Sequence, residues 1–196
     1  IPEGVKNIKL EAFAGCTGLT SIEIPSSVTE IVNSAFAGCT GLTNINIPSS
    51  VTEIGDTAFK GCTRLTSIVV ADGNKVYDSR ENCNAIIETE SNELMLGFQS
   101  TIIPTSVTSI ANYAFAGLAG LTSIVIPNTI TEIGSSAFSG CSLLESITLP
   151  FVGNGSDKTH FGYIFGASSD SYNYDYVPTN LKIVTITGGT SIGDDA

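Results

Sequence analysis

The chain repeats itself every 23 residues, and this period constrains the fold more than any other feature of the sequence. The prolines recur at this step as Pro2, Pro25 and Pro48, and again as Pro104, Pro127 and Pro150. The same step separates Phe13, Phe36 and Phe59, and also Cys16, Cys39 and Cys62. A period of this length is typical of a solenoid, in which each unit contacts only its neighbours and the stack presents long faces. We therefore expect function to lie on a surface.

Each unit ends in a hexad of the form Leu-x-x-Ile-x-Ile, which predicts a strand with its first, fourth and sixth residues turned inward. The hexads occupy residues 19–24, 42–47, 65–70, 121–126, 144–149 and 181–186. A proline follows most of them and ends the strand, because it has no N–H for the ladder. A second apolar beat, from Val28 to Ile31, predicts a shorter strand on the opposite side. Residues 34–39 favour one or two helical turns ending near Gly38.

Two units are longer than the others, at residues 71–103 and 150–187, and the register survives both. The first contains a hairpin pattern with strands beginning at Ala85 and Leu94, and then an irregular strand over residues 98–103. We therefore predict a single domain over residues 1–196. It is a leucine-rich repeat solenoid, a curved α/β-type superhelix with about seven parallel strands in one concave sheet and short strands and helical turns on the convex side. Because the chain starts at a strand end and stops inside a unit, we expect it to be truncated at both ends.

Two columns of repeated residues predict the core. The rings of Phe13, Phe36, Phe59, Phe115 and Phe138 should form a continuous buried spine, because adjacent units stack about 4.8 Å apart. A second column contains Cys16, Cys39, Cys62 and Cys141, with Leu118 at the equivalent place in another unit. A position that also accepts leucine is typical of a buried reduced thiol. Cys83 lies outside the column, and we expect it to be partly exposed.

Composition and missing motifs argue against several classes of function. The net charge is −11 and the eight Lys and Arg residues are dispersed, which disfavours nucleic acid and anionic lipid as partners. No apolar run approaches the roughly 20 residues that would span a bilayer, so we expect no direct membrane insertion. With His160 as the single histidine and no C-x-x-C or G-x-S-x-G motif, we expect no metal, no cofactor, no catalytic residues and no enzyme.

Two candidate binding surfaces remain. The first is the outward side of the main strands: Ser21, Glu23, Asn44, Asn46, Ser67, Val69, Ser123, Val125, Ser146 and Thr148. These small, nearly uncharged side chains suit hydrogen bonding to an extended partner, although they could equally serve only to keep a parallel sheet soluble. The second is the insertion over residues 151–177. We expect Phe161 to Phe165 to pack inward, and Tyr172, Tyr174 and Tyr176 to form an exposed patch of the kind found in recognition loops.

The repeat resembles the BspA-like, or Treponema-type, leucine-rich repeats. Their signature, Ile-Pro-x-Ser-Val-Thr-x-Ile-Gly-x-x-Ala-Phe-x-Gly-Cys-x-x-Leu-x-x-Ile-x-Ile, is nearly complete over residues 47–70 and 126–149. The resemblance implies a secreted or cell-surface protein, many relatives being bacterial. It also implies adhesin-like binding to a protein or glycan of a host or neighbouring cell, with host extracellular matrix among the candidates. The alternative is a structural spacer that displays another domain of a longer surface protein.

Overall fold

The computed structural model describes residues 1–155 and 160–188. Within these ranges the chain forms short strands, three 3-10 helices and one helical turn. The strands are β1 (Asn7–Ile8), β2 (Glu30–Ile31), β3 (Asn44–Ile47), β4 (Glu53–Ile54), β5 (Ser67–Val70), β6 (Tyr77–Asp78), β7 (Ala85–Glu88), β8 (Glu93–Gly97), β9 (Ser109–Ile110), β10 (Ser123–Val125), β11 (Glu132–Ile133), β12 (Ser146–Leu149) and β13 (Ile183–Ile186). The 3-10 helices are Arg80–Asn82, Phe161–Phe165 and Asp170–Tyr172, and α1 is Asn173–Tyr176.

The shorter strands confirm the second apolar beat of the repeat. β1, β2 and β4 lie parallel in one sheet, with Asn7, Glu30 and Glu53 side by side. β9 and β11 pair in the same way after the first insertion. Each partner lies 23 residues along the chain, so the sequence period is also the register of the ladder.

The longer strands form two parallel sheets, and the prediction of one seven-stranded sheet was wrong. β3 pairs only with β5, whereas β10, β12 and β13 form a separate ladder. Residues 19–24 and 98–103 form no strand. The first sheet ends at β5 because side chains occupy its next edge. The N–H of Ile68 donates to Asn84 Oδ1 at 2.8 Å, and the N–H of Val70 donates to Ser79 Oγ at 3.1 Å.

The predicted hairpin of the first insertion is confirmed, and it divides the core. β7 and β8 are antiparallel, and β8 then pairs in parallel with β9. Ile86 and Leu96 pack into a core that extends back to residue 8. Ile87 and Leu94 pack into a second core that extends forward to residue 165. The hairpin is therefore buried on both faces, and only Met95 packs against both cores among the residues described.

On the turn side of the molecule the units contact each other directly, as if the hairpin were absent. Between two consecutive regular units, the N–H of Gly38 donates to the Lys60 carbonyl at 2.8 Å. The N–H of Gly61 makes the equivalent bond to the Ala116 carbonyl at 3.3 Å, across the insertion. The first insertion therefore lies between the strands of two regular units, whereas the turns of those two units remain in direct contact. These segments are hydrogen-bonded turns and not the predicted helical turns, with Gly38 at a φ of 70°.

The phenylalanine column is interrupted at the same place. The rings of Phe13, Phe36 and Phe59 stack with centroids 5.2 Å apart, and Phe115 stacks on Phe138 at 5.0 Å. Among the described residues these stacked pairs form two groups. The prediction of a continuous spine was therefore wrong. Gly97 provides the reason. Its N–H donates to the Ala114 carbonyl at 2.8 Å, and a Cβ at Gly97 would clash with the Phe115 ring.

The second insertion supplies a substitute for a regular turn, as predicted. The 3-10 helix Phe161–Phe165 buries Ile164 and Phe165, and the Phe165 ring lies 6.3 Å from that of Phe138. The N–H of Phe138 donates to the Ile164 carbonyl at 2.8 Å. This bond continues the row of main-chain hydrogen bonds that joins the turns of neighbouring units. The unfinished unit at residues 192–196 lies outside the described residues.

Candidate binding surface

The outward side chains of the longer strands form what we call the main face. Alternate residues of a strand point to opposite sides, and β3 and β5 accordingly alternate between exposed and buried positions. Register places Asn44 beside Ser67, and Ser123 beside Ser146. Of the ten predicted main-face residues, eight are exposed, while Ser146 and Thr148 are half-buried. The structure therefore brings eight of these residues together in two separate ladders, whereas Ser21 and Glu23 lie in a segment that forms no strand.

The middle of the main face is aliphatic, which sequence analysis only partly anticipated. Val69 is 50% exposed and Val125 is 67% exposed, and both were predicted members. Ile102 is 78% exposed and was missed. Its signal was present, since Ile102 holds the fifth position of the irregular hexad, as Val69 and Val125 do in theirs.

At the amino-terminal end of the main face lies a pocket of about 400 Å³, which we call the polar pocket. It brings together four of the predicted site residues, Ser21, Glu23, Asn44 and Asn46. Sequence analysis missed Ser26, and it also missed the apolar part of the lining. That part consists of Ile22, Ile24, Pro48 and Ala71. A volume of this size is within the range of small-molecule sites.

The three tyrosines lie on a different element. Tyr172 and Tyr176 are each 49% exposed and Tyr174 is 76% exposed, at and within α1. Asn173 anchors this helical turn, because its Oδ1 accepts the N–H of Gly162 at 3.0 Å and lies 2.8 Å from His160 Nδ1. α1 contacts both 3-10 helices of the second insertion, and one of them packs its Phe165 ring near that of Phe138. The tyrosine patch and the main face are thus separate surfaces.

Comparison with known families identifies this architecture. The family model for the BspA-type leucine-rich repeat region, in six copies, matches residues 1–91 and 86–183. The chain belongs to the BspA-type leucine-rich repeat family. A comparison with curated protein sequences finds no match.

Solved structures of other leucine-rich repeat proteins share the fold. One is a leucine-rich cell surface protein of Faecalibacterium prausnitzii, with a TM-score of 0.65, 27% identity, and coverage of 96% of this chain and 59% of that one. A leucine-rich repeat protein of Eubacterium ventriosum has a TM-score of 0.53 at 21% identity, over 85% of this chain and 54% of that one. The pneumococcal vaccine antigen PcpA has a TM-score of 0.52 at 16% identity, over 97% and 56%. This BspA-type chain thus spans a little over half the length of these proteins.

The cysteine column of this BspA-type repeat is a structural element. Cys39, Cys62 and Cys141 are buried, and each thiol donates to the carbonyl of the phenylalanine 26 residues earlier, at 3.1, 3.2 and 3.3 Å. All five cysteines are free, and burial raises the pKa of Cys62 and Cys141 to about 12. Cys16 is exposed. Cys83 is 2% exposed, so the prediction that it would be partly exposed was wrong; it lies against the inserted hairpin.

Several titratable groups of the BspA-type chain make contacts within the fold. His160 contacts Asn173 and so helps to position α1. Glu30 accepts a hydrogen bond from Asn7 Nδ2 at 2.7 Å and lies in register with Glu53. Burial, followed by the charges of Glu88 and other carboxylates, raises the pKa of Glu93. Within residues 1–155 and 160–188, no cluster of three or more His, Cys, Asp or Glu residues could hold a metal ion.

Within residues 1–155 and 160–188, no helix has the length and apolar character that a membrane span requires.

Proposed function

We propose that this chain is a non-enzymatic binding module of a cell-surface or secreted protein, adhesin-like in action, which holds a protein or glycan partner. The observation that carries the proposal is the main face. Its exposed side chains, such as Asn44 and Ser67, lie side by side in register and carry almost no charge. A surface of this kind offers hydrogen bonds and apolar contact without the desolvation cost of buried charge.

The cell-surface location is supported by the relatives. The Faecalibacterium prausnitzii protein, 27% identical over 96% of this chain, is described as a cell surface protein. Membership of the BspA-type repeat family supports the same location. Host extracellular matrix proteins are the first partners to test.

The tyrosine patch is the second contact region in this proposal. Tyrosine provides a large contact area and a polar tip at low cost in conformational entropy. Tyr174 is 76% exposed, and the turn that carries it is anchored by Asn173, so the ring is presented on a positioned support.

The alternative is a structural spacer that displays another domain. It is favoured by the length of the relatives, since this chain spans 59% of the Faecalibacterium prausnitzii protein. A spacer would contribute reach and rigidity, and its polar main face would serve solubility alone.

Binding of the purified chain to immobilised matrix proteins and to a glycan array distinguishes the two. The adhesin-like module predicts saturable binding that the double variant Tyr174→Ala/Tyr176→Ala weakens about tenfold or more, with a nearly unchanged melting temperature. Tyr113→Ala is the matched control, because Tyr113 is exposed but lies outside the patch. Binding that is absent from both panels, with a folded sample, would favour the spacer.

A further inference from the structure

We propose that the polar pocket is a binding site for a neutral saccharide. This inference rests on the proposed binding function and deepens it, since it assigns a ligand class to one end of the main face. The pocket is bounded by residues 21–24 on one side and by β3 on the other.

The pocket exists because the ladder between these two segments opens. The N–H of Thr43 donates to the Thr20 carbonyl at 3.2 Å, immediately before the pocket. Beyond that bond, residues 21–24 form no strand and make no main-chain hydrogen bond to β3. On its other edge β3 pairs with β5 over all four residues. The two segments therefore separate by enough to leave about 400 Å³ between them.

Five exposed polar side chains line this space, and within residues 1–155 and 160–188 none of them makes a hydrogen bond to the protein: Ser21, Glu23, Ser26, Asn44 and Asn46. Their hydrogen-bonding groups are therefore available to a ligand. The serine that follows Ser26 differs, because its hydroxyl is used by the fold, as is the hydroxyl of its counterpart in the next unit. Ser27 Oγ donates to the Val5 carbonyl at 2.8 Å, and Ser50 Oγ donates to the Val28 carbonyl at 2.6 Å.

The chemistry of the lining selects the ligand. Two amides and two hydroxyls can each donate and accept hydrogen bonds, which suits the neighbouring hydroxyl groups of a sugar ring. The half-buried side chains of Ile22 and Pro48 provide apolar surface for the C–H faces of such a ring. Glu23 is the one ionisable residue in the lining. Its carboxylate accepts hydrogen bonds from hydroxyls but repels an anion, so a neutral sugar is favoured over an acidic one.

The test is nuclear magnetic resonance titration of the ¹⁵N-labelled chain with methyl glycosides of glucose, galactose, mannose and N-acetylglucosamine, and with glucuronic acid. We expect at least one neutral glycoside to shift amide signals of residues 21–26 and 44–48. The double variant Asn44→Ala/Asn46→Ala should weaken that binding about tenfold or more, corresponding to about 1.4 kcal/mol or more. Thr105→Ala is the matched control. Thr105 is exposed and holds the same repeat position as Ser26, but it lies outside both the pocket lining and the main face.

Glu23→Gln tests the selectivity. This variant should retain the neutral glycoside within about threefold and gain affinity for glucuronic acid, because it removes the repelling charge while leaving an acceptor in place. Shifts confined to other parts of the chain, stronger binding of glucuronic acid by the unmodified protein, or an undiminished affinity in the double variant would each overturn the inference. So would the absence of shifts with every glycoside. A failure here leaves the proposed function standing if the chain still binds a matrix protein in a tyrosine-dependent manner.

Discussion

The phenylalanine column shows that the contribution of one residue to the free energy of unfolding depends on the units on either side of it. Phe36 is fully buried between the rings of Phe13 and Phe59, whereas Phe13 is partly exposed and has a stacked ring on one side. We expect Phe36→Ala to lower the free energy of unfolding by about 3–5 kcal/mol, through lost transfer energy and the cavity left behind. Phe13→Ala should cost less than half as much. Urea denaturation followed by circular dichroism measures both, and equal losses would contradict the exposure of Phe13.

The buried thiols should make stability depend on pH in the alkaline range. Burial raises the pKa of Cys62 and Cys141 from 9.0 to about 12, so the folded state favours the neutral thiols. Their contribution is complete below pH 9 and is lost as the pH rises toward 12, by at most about 1.4 kcal/mol per pH unit for each thiol. The urea midpoint should therefore fall between pH 9 and pH 10.5. The variant Cys62→Ala/Cys141→Ala should show a shallower fall, and an identical slope would show that other groups are responsible.

Individual residues of this chain could be placed from its period with good success. Stacking at a fixed step means that an inward position in one unit is inward in the next, so Cys39, Cys62 and Cys141 were placed correctly as buried thiols. Cys83 was not, because it belongs to an insertion that has no counterpart in the repeat. The main-face residues were predicted for the same reason, and Ile102 was missed because the irregular hexad around it hides its register.

At the level of elements, Gly97 shows how the hairpin is accommodated. A Cβ at this position would clash with the Phe115 ring, so Gly97→Ala should destabilise the chain by about 1–3 kcal/mol. Gly18→Ala is the control, because a Cβ at Gly18 meets no atom within 4 Å. We expect the control to be neutral or slightly stabilising. Melting temperatures compare the two, and a neutral Gly97→Ala would show that the ring moves aside.

The continuity of the sheets was beyond sequence analysis, for a physical reason. A ladder continues only where main-chain donors meet main-chain acceptors, and the hexad pattern reports only which side chains are apolar. After β5 the donors of Ile68 and Val70 are taken by Asn84 and Ser79, residues that no repeat position specifies. Before β3 the ladder opens into the polar pocket, although residues 19–24 carry a complete hexad. The hairpin and the inward 3-10 helix were predictable, because their apolar residues are patterned locally.

For the whole molecule, the divided core predicts that the two halves respond separately to damage. Repeat proteins transmit stability between neighbouring units, and here the hairpin lies between two buried clusters. Phe36→Ala should accelerate hydrogen exchange mainly at residues 8–70, and Phe138→Ala mainly at residues 107–149. Exchange measured by mass spectrometry on both variants compares these regions. A uniform acceleration across both regions in either variant would mean that the hairpin couples the clusters into one cooperative unit.

The bypass at the turns has a consequence for how such a chain can diversify. Because Gly61 bonds to Ala116 much as Gly38 bonds to Lys60, the 33 residues between the two regular units lengthen one side of the molecule without displacing the other. An ancestor could therefore gain or lose such a segment in a single genetic event and still keep the contacts between the turns of its regular units. New surface, including an exposed aliphatic residue such as Ile102, would arise beside the existing one, and natural selection could act on it at once.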